Sequence, residues 1–159
     1  MNLKYVDFEK VTSQFVDYRN GIDEINTEKD NFLKEIEPHR KEMNNIISSV
    51  SSGLIIDNST QQQKAERFQQ IQSEIMKKDS EFKKKIKEMT DELNVKCFDK
   101  LSDIISEWAK EQKIDVISSK IETVYVTEEY DVTDQIIELL KLKDLFKELP
   151  EKLVNKTEE

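Results

Sequence analysis

The amino-acid sequence predicts a mostly α, α+β fold: one long antiparallel coiled-coil helical hairpin standing on a small β-containing oligomerisation body. Three observations carry that expectation. The 159 residues include only two glycines and two prolines, so the chain turns rarely and long elements are favoured. Apolar side chains recur at steps of three and four along two long stretches, which is the period of a packed helix. Segments rich in β-branched and aromatic residues occur towards the two ends.

The first element, Leu3-Lys4-Tyr5-Val6-Asp7, is short and β-leaning. From Phe8 a seam steps through Val11, Phe15, Tyr18, Ile22, Ile25, Lys29, Phe32, Ile36, His39, Met43, Ile46 and Val50, and only Lys29 and His39 depart from apolar or aromatic character. A spacing held this long predicts one helix. Gly21 and Pro38 interrupt it. Pro38 removes a backbone donor and crowds the preceding turn, so a kink is expected near Glu37. The Ser/Gly cluster from Ser48 to Gly53 is the turn signal, with Leu54-Ile55-Ile56 just beyond it. Ser59 or Thr60 then caps a second helix from about Gln61 to Gln112. Its seam is Phe68, Ile71, Ile75, Phe82, Ile86, Met89, Leu93, Cys97, Leu101, Ile104 and Trp108. Two helices of similar length joined at one turn pack antiparallel, each on the order of 60–75 Å long.

After Lys113, Ile114–Ser118 and Glu122–Thr127 read as two adjacent strands. Asp131 or Thr133 is placed to cap a helix from Asp134 to about Leu142, and Pro150 ends any helicity that extends through Leu145 and Phe146. The expected organisation is a body made of residues 1–10 plus 109–146, a hairpin arm over 11–108 with its tip near 48–60, and a partly disordered tail over 147–159. A body of roughly 55 residues is marginal as a lone core, and its strand edges need partners. Both problems are solved by assembly of several copies through Tyr5, Val6, Ile114, Val116, Ile117, Val124, Tyr125 and Val126.

Net charge is −9. Residues 1–59 carry −4, residues 60–110 carry +1 and residues 111–159 carry −6. An acidic chain of this kind is not expected to bind nucleic acid, and general attraction to an anionic membrane is disfavoured. No run of about 18 apolar residues suggests a membrane span. Met1 leads directly into the strand-like segment, so no signal peptide is expected within this sequence, which reads as cytosolic or as a mature secreted form.

Chemistry-bearing residues are sparse. Cys97 is the only cysteine, which excludes an intrachain disulfide and a cysteine metal site. It lies on the second seam and reads as a buried inert thiol. His39 is the only histidine and sits on the first seam, where packing is the expected role. Two glycines cannot build a phosphate loop, and the many carboxylates fall on helix surfaces, where i,i+4 pairing is ordinary. No cofactor, no metal and no enzymatic activity are expected. Two features are candidates for binding instead. Lys77, Lys78, Lys83, Lys84, Lys85 and Lys87 crowd one stretch of the second helix, either as a solvated face with offsetting pairs or as a positive belt attracting acidic segments. Leu54, Ile55 and Ile56 either fold back on the hairpin end or form an apolar contact patch.

Three stretches carry a family resemblance. Tyr5-Val6-Asp7-Phe8-Glu9-Lys10-Val11 resembles the opening of mature Skp/OmpH periplasmic chaperones. The run from Trp108-Ala109-Lys110 through Ile114-Asp115-Val116-Ile117 to Val124-Tyr125-Val126 resembles that family's two-strand segment. Tyr130-Asp131-Val132-Thr133-Asp134-Gln135-Ile136-Ile137 resembles its closing strand-to-helix step. The resemblance implies a homotrimer with a β-barrel-like body and three arms around a cavity. It also implies a periplasmic location and an ATP-independent holdase that keeps unfolded outer-membrane proteins from aggregating. Familiar members are basic and this chain is acidic, which speaks against lipopolysaccharide or anionic-membrane contact. Two other classes fit the hairpin itself: a structural tethering coiled coil, and a cytosolic prefoldin-like holdase.

Overall fold

A computed structural model describes residues 1–55 and 57–150, and the chain divides into two compact units. One comprises Met1–Asp23 and the chain from Asp91 onward, the other Glu24–Thr90. The elements in order are β1 (Leu3–Val6), α1 (Phe8–Ser13), α2 (Val16–Ser51), α3 (Asn58–Glu111), β2 (Val116–Ser119) and α4 (Thr133–Leu142). The fold is thus mostly helical with long helices and a small sheet. Single 3-10 turns occupy Lys120–Glu122 and Glu128–Tyr130.

In the first unit β1 and β2 pair in parallel, with Leu3 opposite Val116 and Val6 opposite Ser119. Parallel neighbours need a long crossover, and here it is the intervening chain of both long helices. β1 also meets the segment before α4, where the amide of Val132 donates to the carbonyl of Tyr5 at 2.9 Å. The core gathers Val6, Val11, Phe15, Cys97, Leu101, Ile105, Val132, Ile136, Ile137 and Leu140. Burying each of the larger side chains contributes about 1.5–3 kcal/mol. Asp131 ties three segments together. Its Oδ1 accepts from the amide of Thr133 at 3.0 Å and from the Thr133 hydroxyl, and its Oδ2 pairs with Lys120 at 2.7 Å. The same hydroxyl accepts from the amide of Asp7 at 2.9 Å. Partial burial pushes the Asp131 carboxyl upward, but Lys120 and Thr133 outweigh it and hold the group below the usual carboxylate range. Gly21 lets α2 approach Leu93 of α3 closely. Arg19 is only 7% exposed, and its Nε has no hydrogen-bond partner among the described residues.

In the second unit α2 and α3 run antiparallel, because their pairings descend on one helix as they ascend on the other. Glu28 pairs with Lys85 at 2.8 Å, Glu35 with Lys78 at 2.6 Å, and Glu42 with Arg67 at 2.7 Å. The rings of Phe32 and Phe82 stack with centroids 4.0 Å apart. Ile25, Ile36, Ile46 and Ile71 are buried between such pairs. Gly53 turns the chain with φ +71°, a left-handed value open to glycine at little cost.

Several expectations are corrected. The seam from Phe8 is not one helix. α1 ends at Ser13, and Phe15 forms an antiparallel bridge with Phe146, in which the Val16 amide donates to Leu145 and the Lys147 amide to Gln14. Spacing alone does not register a later segment that competes for the backbone. α2 is continuous through Pro38, which is compatible with the kink expected near Glu37 because a proline-kinked helix keeps its turns on either side, and both residues are exposed. Asp57, rather than Ser59 or Thr60, caps α3: its Oδ2 accepts from the Thr60 amide at 2.9 Å. In the lower seam Ile105 is buried and Ile104 only partly. The second predicted strand, Glu122–Thr127, is not a strand, because among the described residues no neighbouring backbone completes a ladder there. The first is confined to Val116–Ser119, since Lys113 with φ 56° redirects the chain before it. Helicity stops at Leu142, where Asp144 takes φ 57°. Lys147 is tied to Asn20 and Asp23, each at 3.2 Å, and residues 151–159 of the expected tail lie outside the described residues.

Candidate functional site

The residues proposed for assembly fall into two groups in the first unit. Val6 is in the core, and Tyr5, Ile114, Ile117 and Val126 are half-buried. Val116, Val124 and Tyr125 are exposed, Val124 completely and Tyr125 by 78%. Ile121 is exposed as well. A groove of about 650 Å³ runs along this unit, with Val6, Phe8, Phe98, Ile105, Ile114 and Ile117 among its walls. The Phe8 and Phe98 rings meet at 5.3 Å, and Phe98 stays more than half exposed. Isolated apolar side chains on a surface are ordinary; the groove with its apolar walls is the feature that sets this unit's surface apart.

In the second unit the lysine cluster is largely engaged. Lys78 and Lys85 bridge to α2 as described, Lys83 pairs with Asp79 at 2.8 Å, and Lys84 reaches Glu88 at 4.0 Å. Hydrogen bonding by Lys78 holds the Glu35 carboxyl below its usual range, and Arg67 does the same for Glu42. Much of the positive charge is therefore offset locally, and the cross-helix pairs set the register of α2 on α3.

The turn end has a different chemistry. Residues 43–63 contain one charged residue, Asp57, whose carboxylate is spent on the α3 cap and titrates below its usual range through the Thr60 hydroxyl and amide. Leu54 is 82% exposed, Ile55 is half-buried, and Ile56 lies outside the described residues. Ile47 and Val50 are exposed as well, and they edge a groove of about 740 Å³ floored by Ile46 and Phe68. Sequence reasoning missed Ile47, Phe98 and Ile121. The signal was present for the two helical ones: an apolar residue that sits off the seam, as Ile47 sits beside Ile46, points away from the partner helix.

Cys97 is buried, and burial together with the nearby Asp17 charge pushes its thiol up, away from the reactive thiolate. His39 Nδ1 lies 3.9 Å from Glu74 across the two helices. Among the described residues no cluster of three or more metal-ligating side chains occurs. Among the same residues no helix is long and apolar enough to cross a membrane. Of the two grooves, only the one at the turn end has a lining without charged residues.

The family model for outer membrane protein (OmpH-like) matches residues 2–140. Among solved structures, a candidate outer membrane chaperone (OmpH-like) from Caulobacter crescentus superposes with a TM-score of 0.73 at 13% identity, covering 93% of this chain and 88% of the other. No curated protein matches the sequence.

Proposed function

The chain belongs to the OmpH-like outer membrane protein family, and from that premise we propose that it is a periplasmic chaperone: an ATP-independent holdase for unfolded outer-membrane proteins. The observation that carries this reading is the family match over residues 2–140. The exposed apolar set Val116, Ile121, Val124 and Tyr125 supports assembly, here as a homotrimer whose copies complete a barrel-like body around β1 and β2. Tyr5, Val6, Ile114, Ile117 and Val126 back that interface from inside. The arms, expected over residues 11–108 and represented here by the second unit, Glu24–Thr90, surround a client and touch it at many weak points through Leu54, Ile55, Ile56 and the lysines at 77, 78, 83, 84, 85 and 87. Multivalency makes retention strong while each contact stays labile. The client leaves when a more stable fate, membrane insertion, draws it away by mass action. No bond is made or broken, so no nucleotide and no catalytic residue enter the cycle.

The experiment is dilution of a urea-unfolded outer-membrane β-barrel with and without the protein. Suppressed light scattering is expected, without added nucleotide. Scattering just as high in its presence rejects the chaperone reading.

A further inference from the structure

Building on the chaperone reading, we infer that the groove at the turn end of α2 and α3 binds an extended, uncharged, apolar-and-polar alternating segment of an unfolded polypeptide, independently of the lysine cluster. Its floor is Ile46 and Phe68, its edge the exposed Ile47 and Val50, and its rim carries the neutral amides of Asn58 and Gln69. No cation occurs between Lys41 and Lys64, and the one anion of residues 43–63, Asp57, is committed to the α3 cap. None of the groove's lining residues is charged, so the lining selects a neutral occupant: a charged peptide would lose its hydration against it without an ion pair from the lining. A strand-forming segment of a β-barrel has the matching chemistry. Its apolar side chains fit the floor and edge, while its unpaired peptide groups can meet the amide rim.

The test uses the full chain and two fluorescent ten-residue peptides, one alternating Val or Tyr with Thr or Asn, the other with Glu at the Thr positions. Anisotropy is read in about 0.05 and 0.5 M NaCl, where screening differs strongly. The neutral peptide is expected to bind with the same affinity at both salts and more tightly than the acidic one. Ile47→Ser combined with Val50→Ser should weaken it by about tenfold. Both side chains are exposed, so helicity by circular dichroism should not change. Unchanged peptide affinity in that variant overturns the inference. So does a variant whose only changes are lost binding to phosphatidylcholine vesicles or an altered oligomeric mass, which would give the groove to lipid or to a second copy. Failure of the wild-type chain to suppress β-barrel aggregation strikes the chaperone reading instead, and the two failures are read in separate assays.

Discussion

Gly21 is where helix propensity and packing oppose each other most directly. A Cβ there would sit 2.3 Å from Leu93 Cδ1, 2.7 Å from Cδ2 and 3.0 Å from Cγ. Ordinary carbon contacts are about 3.5–4.0 Å, so Leu93 must leave its rotamer or α2 must shift from α3. Gly21→Ala gains up to about 1 kcal/mol of helix propensity, whereas overpacking of this kind costs about 1–3 kcal/mol. The net expectation is a loss of about 1 kcal/mol. Leu93→Ala alone also destabilises, by about 1–3 kcal/mol for a side chain that is only partly buried. In the Leu93→Ala background the obstruction is gone, and Gly21→Ala should turn stabilising by close to its full propensity gain. The four proteins, unfolded in urea at matched concentration, should show a coupling of about 1–3 kcal/mol. Additivity within about 0.5 kcal/mol would refute the close-approach account of this glycine.

Two further outcomes follow from groups held in unusual surroundings. Arg19 is nearly buried with an unpartnered Nε, and an apolar side chain of similar length avoids that desolvation, so Arg19→Met should raise stability by about 1 kcal/mol, read as a higher Tm. Asp131 titrates below its ordinary value of 3.8, so its stabilisation is fully present above that pH and disappears as pH falls through the depressed value. Asp131→Asn should accordingly lose about 1 kcal/mol at neutral pH, and its deficit against wild type should shrink below about pH 4 in urea titrations.

The long helices were legible because their signal is repeated: Ile25, Ile36, Ile46 and Ile71 all fall on the seams that spacing identified, and all are buried. The short breaks were not, because each depends on a partner distant in sequence. Phe15 looks like any other seam residue until Phe146 arrives to pair with its backbone. Val124 and Tyr125 have strand-forming side chains, yet a strand exists only through its ladder, and among the described residues no ladder reaches them. The lysine cluster shows the same limit on the candidate site. Its composition was plain, but whether the charge faces outward depended on where Glu28 and Glu35 of the other helix came to lie. The exposed Ile47, by contrast, could have been found by asking which apolar residues leave the seam.

The parallel pairing of Leu3 with Val116 also sets a schedule for biosynthesis. On a chain that emerges from its N-terminus, whether from a ribosome or from an export pore, β1 appears long before β2. Through that interval its Leu3, Tyr5 and Val6 are an unmatched sticky edge on a nascent chain, while the helical stretch behind them folds locally and fast. By the time Val116 emerges, the intervening chain is no longer a floppy loop of more than a hundred residues but a pre-shortened one. A truncation that removes either strand should therefore leave helices that form and ends that never meet.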